Sequence, residues 1–260
     1  MANDALTGAE LDLLAAAGCA VIDASVIRDG GSTFFLARTN GRDRVLGVVG
    51  DAAGFSGTWH EPSGALLCAR TAAHAEALRV RLPWLRPAPL GLATSAGFGD
   101  RLGLATPGHV RALRSVVGPA AAIAPIFAQQ SVRENARTGR SPQQVMDDAL
   151  WGLLSEGWRL PWGADADHLK TPADVESFAA AGFSFYTIDP GDHVDDAAHT
   201  GPPEAVRRSL DALPWETLED SLADLERRHL GRPVALEGGT ETVDREALWR
   251  AAAKYGRVVA

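Results

Sequence analysis

Only two cysteines occur in the 260 residues, Cys19 and Cys68. They are too few for a disulfide framework, lie in apolar surroundings without CxxC spacing, and read as buried, reduced thiols. Neither sign of charge is gathered into a block: 25 Lys and Arg against 33 Asp and Glu give a net charge of −8. That mild acidic excess provides no basic footprint for nucleic acid. It does not exclude an acidic ligand, because local arginines and lysines can reverse the field. No apolar run approaches the ~18 residues of a membrane span. No signal-peptide pattern opens the chain, since Asn3, Asp4 and Glu10 interrupt it. A cytoplasmic protein with no membrane partner is the expectation. GxGxxG and GxxxxGK[ST] phosphate loops and a GxSxG elbow are also missing. Their absence weighs against a nucleotide-dependent enzyme and a serine hydrolase.

What is present suits a soluble globular protein, 46% hydrophobic and 22% charged. The length fits one (β/α)8 barrel or two smaller domains. The front of the chain reads as a small α+β unit. Thr7 and Glu10 have capping-box spacing before a helix over 7–17. Runs at 33–38, 44–49 and 65–70 read as strands, with Asn40-Gly41 as a hairpin turn. Thr71 caps a helix over 71–81. His60 and His74 read as surface or packing residues. Three prolines within 83–89 place a domain boundary there, giving a domain over 1–88 and another over 89–260.

Beyond the boundary, strands and helices alternate, as in parallel βα units. Strands are expected at 90–94, 122–128, 162–166 and 183–188. Helices are expected at 107–117, at 142–157 behind Ser141-Pro142, and at 172–181 behind Thr171. Residues 196–250 interrupt this rhythm and read as an insertion, with helices at 216–229 and from Asp244 to Tyr255. The charges Glu219, Asp220, Arg227 and Arg228 read as a solvated face.

Each expected strand runs into polar residues at its carboxyl end, where α/β folds bind ligands. The first gives Asp100 and Arg101. The second gives Gln129, Gln130 and Arg133. The third gives Asp165, Asp167, His168 and Lys170, and the fourth Asp189, Asp192 and His193. Arg101, Arg133 and Lys170 suit a carboxylate or phosphate, and Gln129 and Gln130 suit hydroxyls. Asp167-His168 is the strongest candidate for chemistry, as metal ligand, orienter or base. Neighbours on a strand face opposite ways, so the pair serves one site only if the strand ends or twists there. A metal needs three or more ligands, with Asp189, Asp192 and His193 as further candidates. His109 opens a helix and reads as a cap or an anion contact; His199 and His229 read as uninvolved.

At these residues the sequence resembles the tagaturonate epimerases. The stretches are GFGDRLGLATPGH (97–109), PIFAQQSVRENARTGRSPQQV (125–145), WGADADHLKT (162–171) and FYTIDPGDHVD (185–195). The resemblance implies a metal-dependent isomerase interconverting tagaturonate and fructuronate on a TIM-like (β/α) barrel. It also implies Asp167 as proton acceptor and His168 as ligand to a divalent cation, and places a proton-donating acid and two further metal histidines in a later part of the family's chain, beyond where this sequence stops. The expected architecture is therefore α/β, a small α+β domain followed by the first half of a barrel, stopping short of the rest. A retro-aldol route suits the substrate, because the inverted carbon lies β to the ketone. A uronate is the expected partner, with a homo-oligomer or a completing C-terminal segment as further partners. A non-catalytic sugar-acid or metal-binding homologue is one alternative, and a metal-dependent aldolase or hydrolase on the same face another.

Overall fold

Thr7 accepts the Glu10 N–H while the Glu10 carboxylate accepts the Thr7 N–H, and the capping box starts α1 (Gly8–Ala16). In the computed structural model, residues 6–40, 44–117 and 123–260 are described, and they form two compact units, 6–188 and 189–260.

The first unit opens with an antiparallel sheet of β1 (Cys19–Val21), β2 (Ile27–Asp29), β3 (Ser32–Thr39), β4 (Arg44–Val49), β5 (Thr58–His60) and β6 (Ala65–Ala69). The order is β1-β3-β4-β6-β5, with β2 also on β3. The hairpin residue Gly41 lies outside the described residues. Period-two alternation buries Phe34 and Leu36 in one cluster and Phe35 and Ala37 in another on the opposite face. Cys19 and Cys68 are free and buried, and burial pushes the Cys68 thiol up to about 11, which keeps it inert. Thr71 caps α2 (Ala72–Arg81).

A parallel sheet comes next: β7 (Ser95–Gly99), α3 (Thr106–Val117), β8 (Ala124–Ser131), α4 (Val132–Thr138), α5 (Pro142–Ser155), β9 (Gly163–Leu169), α6 (Pro172–Ala180) and β10 (Phe185–Ile188). Its first strand is not where the apolar run 90–94 places it. Gly91 turns the chain at φ 57°, and the glycine-rich SAGFG pairs with β8 instead. The other three strands form near their expected places, and residue 122 of the second falls outside the described residues. Spatial order is β10-β9-β8-β7, so chain neighbours are sheet neighbours throughout. The four strands form an open sheet, and the described residues contain no closed barrel.

The proline stretch separates the two sheets in sequence, yet one core joins them. Leu36, Leu46, Leu78, Leu150, Phe127 and Trp162 belong to the same buried cluster. Across it Arg79 of α2 meets Asp147 of α5 at 2.5 Å, both largely buried.

The second unit comprises α7 (Ala197–Thr200), α8 (Pro203–Asp211), α9 (Leu222–His229), the hairpin β11 (Pro233–Leu236) and β12 (Gly239–Thr242), and α10 (Arg245–Val259). The helix expected over 216–229 forms only from Leu222. Glu219 turns left-handed at φ 51°, and Ser221 caps α9. Asp244, expected to open a helix through Tyr255, instead caps α10, which runs on to Val259. Leu210, Leu213 and Ala253 centre a small core of its own. Among the described residues, no helix is long and apolar enough to cross a membrane.

Candidate functional site

At the carboxyl ends of β7, β8 and β9 lies a cleft of about 190 Å³. Arg101, Gln129, Gln130, Arg133, Asp167 and His168 line it, six residues singled out from the sequence. Gly99, Ser131 and Glu134 complete the wall.

Strand register explains the gathering. Gln129 pairs with Asp165 and Ser131 with Asp167 on adjacent parallel strands. Gln129 donates Nε2–H to Asp165 Oδ2 at 2.9 Å, and the Thr187 hydroxyl donates to Asp165 Oδ1 at 2.9 Å. Asp165 is 3% exposed. Burial pushes its carboxyl up, the nearby Asp167 charge adds to this, and the two hydrogen bonds oppose it; the net shift is upward. Asp165 thus braces three strands beneath the cleft, while Asp167 two residues on reaches its wall. Gly97 makes room here: a Cβ would push the Gln129 amide out of its place against Asp165.

Asp167 and His168 meet the condition for serving one site. His168 adopts the left-handed region at φ 55°, which turns its ring out of strand alternation. Its Nε2 lies 3.6 Å from Asp167 Oδ1. A bulky residue there is strained, a pattern associated with functional positions. Gln130 is 3% exposed, and its Nε2 is buried without a partner among the described residues.

Asp100 is placed differently. It is buried, and its two oxygens accept the backbone N–H groups of Leu102, Gly103, Leu104, Ala105 and Thr106 at 2.8 to 3.3 Å. Burial pushes its carboxyl up, but these donors outweigh it and leave the pKa below the usual value. Its oxygens are occupied in shaping the loop that presents Arg101. Gly103, at φ 72°, allows the loop to close against Asp148. Lys170 lines a separate groove with Leu169, Val175 and Ile188.

Asp189 and His193 belong to the second unit. Asp189 Oδ1 accepts the Gly191 N–H at 2.9 Å, an Asx turn. His193 lines a depression of about 490 Å³ with Asp192, Arg208, Ser209 and Arg257.

Sequence reasoning missed Glu134. Its side chain is 13% exposed and accepts from Arg101 Nε at 3.1 Å and Arg137 Nη1 at 3.0 Å, with Arg133 Nε at 3.9 Å. The charges within 133–140 suggest only a polar loop. The i,i+3 spacing of Glu134 and Arg137 was the available signal.

Among the described residues, no three His, Cys, Asp or Glu side chains group closely enough to hold a metal. Asp167 and His168 offer one carboxylate and one imidazole, the chemistry of a partial ligand set.

The tagaturonate epimerase family model (UxaE) matches residues 23–260. The tagaturonate/fructuronate epimerase of Thermotoga maritima is 38% identical over 233 residues, which are 88% of this chain and 46% of that protein. Among solved structures, the native fructuronate-tagaturonate epimerase of Cohnella laeviribosi superposes with TM-score 0.83 at 29% identity, covering 95% of this chain and 49% of that one. Its form with two bound glycerols gives 0.81 at 30% identity, covering 94% and 48%. The chain therefore spans about half the length of the relatives it matches.

Proposed function

The chain belongs to the tagaturonate epimerase family, and from that premise we propose that it supplies half of the active site of a tagaturonate/fructuronate epimerase. The observation that carries the reading is the cleft, where six candidate residues from the carboxyl ends of three successive strands and the segments that follow them meet. The sheet is read as a sector of a (β/α) barrel. Its strands are parallel and follow chain order without the switch point of a doubly wound sheet.

In this reading Asp167 is the base and His168 a ligand to a divalent cation. Bound there, the cation supplies Lewis-acid stabilisation of developing oxyanion charge. Asp167 accepts the proton of the hydroxyl on the carbon to be inverted. As that hydroxyl becomes a carbonyl, the adjacent carbon–carbon bond breaks, leaving an aldehyde and an enediolate. The aldehyde turns, the enediolate attacks its other face, and the proton returns from Asp167. No oxidant or reductant is consumed. Gln129 and Asp165 hold the strand ends that carry Ser131 and Asp167. A soluble cytoplasmic enzyme is consistent with this role.

The test follows D-tagaturonate by NMR, with added divalent metal salts, for this chain and for this chain joined to the unmatched half of the Thermotoga protein. Interconversion by the joined protein, lost in Asp167→Asn, is the expected result. A folded joined protein without epimerase activity would overturn the reading. So would deuterium from D2O appearing on the inverted carbon, for the retro-aldol step.

A further inference from the structure

Glu134 lines the cleft but has no task in the chemistry above. It sits on α4 among three arginines, largely covered, whereas Arg101, Arg133 and Arg137 are 69%, 70% and 63% exposed. Two of these arginines line the cleft with it, from different βα units: Arg101 in the loop after β7 and Arg133 in the first turn of α4 after β8. Arg101 donates its Nε–H to Glu134 at 3.1 Å, and Arg133 Nε lies 3.9 Å from the same carboxylate, an ion pair without a hydrogen bond.

Around Glu134, three guanidinium charges face one carboxylate, a positive excess confined to this side of a cleft that also holds Asp167. Such an excess favours an anion, and paired guanidinium N–H groups match a carboxylate in geometry. A long exposed side chain loses rotamer freedom when it clamps a ligand, and a fixed counter-charge removes part of that loss beforehand. Asp100 adds to this by ordering the loop that carries Arg101. Gln130 Nε2, buried in the same wall without a partner among the described residues, is an orphaned donor, which native structures rarely leave without a ligand or water.

We propose that Arg101 and Arg133 form the receptor for the carboxylate of a sugar acid, and that Glu134 is the positioning residue that holds both guanidinia for it. The proposal rests on the sugar-acid reading above and adds which end of the ligand each side of the cleft takes. The carboxylate lies at the arginine side and the carbon skeleton extends toward Asp167 and His168. Partial burial pushes the Glu134 carboxyl up, but Arg101 and Arg137 pull it further down, so it stays ionised at neutral pH.

Calorimetric titration of the full 260-residue chain with D-fructuronate and with D-fructose, its uncharged counterpart, tests this. Fructuronate is expected to bind at least about tenfold more tightly, with affinity falling as salt rises. Arg101→Ala and Arg133→Ala should each weaken fructuronate by roughly ten- to a hundredfold and leave fructose unchanged.

Glu134→Gln gives the decisive sign. Removing a negative charge beside an anion strengthens binding if Glu134 is a bystander, and weakens it if Glu134 positions the arginines. Weakening with an unchanged melting temperature, partly restored in Glu134→Asp, supports the proposal. Equal or tighter binding by Glu134→Gln overturns it. If Glu134→Gln unfolds, Glu134→Asp titrated alone decides in the same way, with weakening of fructuronate but not fructose expected. Equal affinity for fructuronate and fructose removes the carboxylate receptor and leaves the sugar site standing. Binding of neither removes the sugar-acid reading of this chain and the receptor with it.

Discussion

Gln129 holds Asp165 across adjacent strands, its side-chain N–H 2.9 Å from Oδ2. A neutral amide thus braces a carboxylate that burial has pushed up, directly beneath the residue proposed as base. The cleft rests on a group whose ionised form the folded state disfavours relative to water.

That relationship sets a pH dependence. With a raised folded pKa, the native state binds more protons than the unfolded chain in the range above the ordinary value of 3.8. Stability attributable to Asp165 therefore falls as pH rises through that range. Asp165→Asn removes the titration; its carbonyl still accepts from Gln129, and its amide N–H can donate to the Thr187 hydroxyl oxygen in place of accepting from it. Its stability relative to the parent should rise as pH increases from 4 toward neutrality, read by urea unfolding at several pH values. A relative stability that falls over the same range would show that the ionised carboxylate is the favoured form.

Asp100 behaves with the opposite sign. Its pKa is depressed, so its contribution is present above the unfolded value of 3.8 and is lost as pH falls through the folded one. Asp100→Asn replaces one of two charged acceptors by an amide in front of five N–H donors. At neutral pH this should cost about 2 kcal/mol, shrinking in acid. Amide exchange at residues 102–106 should quicken at the same time. Unchanged exchange there would mean the loop is held by something else.

Much of this architecture was legible because it is local. Caps at Thr7, Ser141 and Thr171 and the alternation in 33–38 declare their elements within a few residues. The strand at Ser95–Gly99 was not legible, because its Gly97 answers to a partner 32 residues away, making room for Gln129. Six members of the cleft could be read from strand ends. Asp100 and Glu134 could not be placed, since one spends its charge on its own loop and the other on three arginines, and neither partner set shows in spacing. The shared core across 83–89 depends on tertiary contacts that the proline signal does not report.

His168 allows the backbone and side-chain contributions to be separated. At φ 55° any residue with a Cβ is strained, whereas glycine is not. Both His168→Gly and His168→Ala delete the imidazole and should abolish any divalent-cation binding that depends on it. Only His168→Gly relieves the backbone, so it should be more stable than His168→Ala by about 1 kcal/mol in chemical denaturation. Equal stability of the two variants would show that the left-handed turn carries no strain. A glycine variant more stable than the parent would show that stability is given up here for the imidazole.

The pair Arg79–Asp147 tests what joins the two sheets. Their separation is 2.5 Å, with side-chain exposures of only 6% and 10%, and Gln143 also donates to Asp147 Oδ1 at 2.8 Å. Burial pushes the Asp147 carboxyl up, and the arginine only partly offsets it, so the pair contributes little net attraction. Removing one partner strands the other charge in the core between α2 and α5. Arg79→Met or Asp147→Leu alone should therefore cost about 3–5 kcal/mol. The double variant places apolar groups on both sides and should recover most of that loss, giving a large favourable coupling in a double-mutant cycle. Additive losses in the cycle would mean that each side chain is held by other contacts, and that the salt bridge does not tie the antiparallel front of the unit to the sheet carrying the cleft.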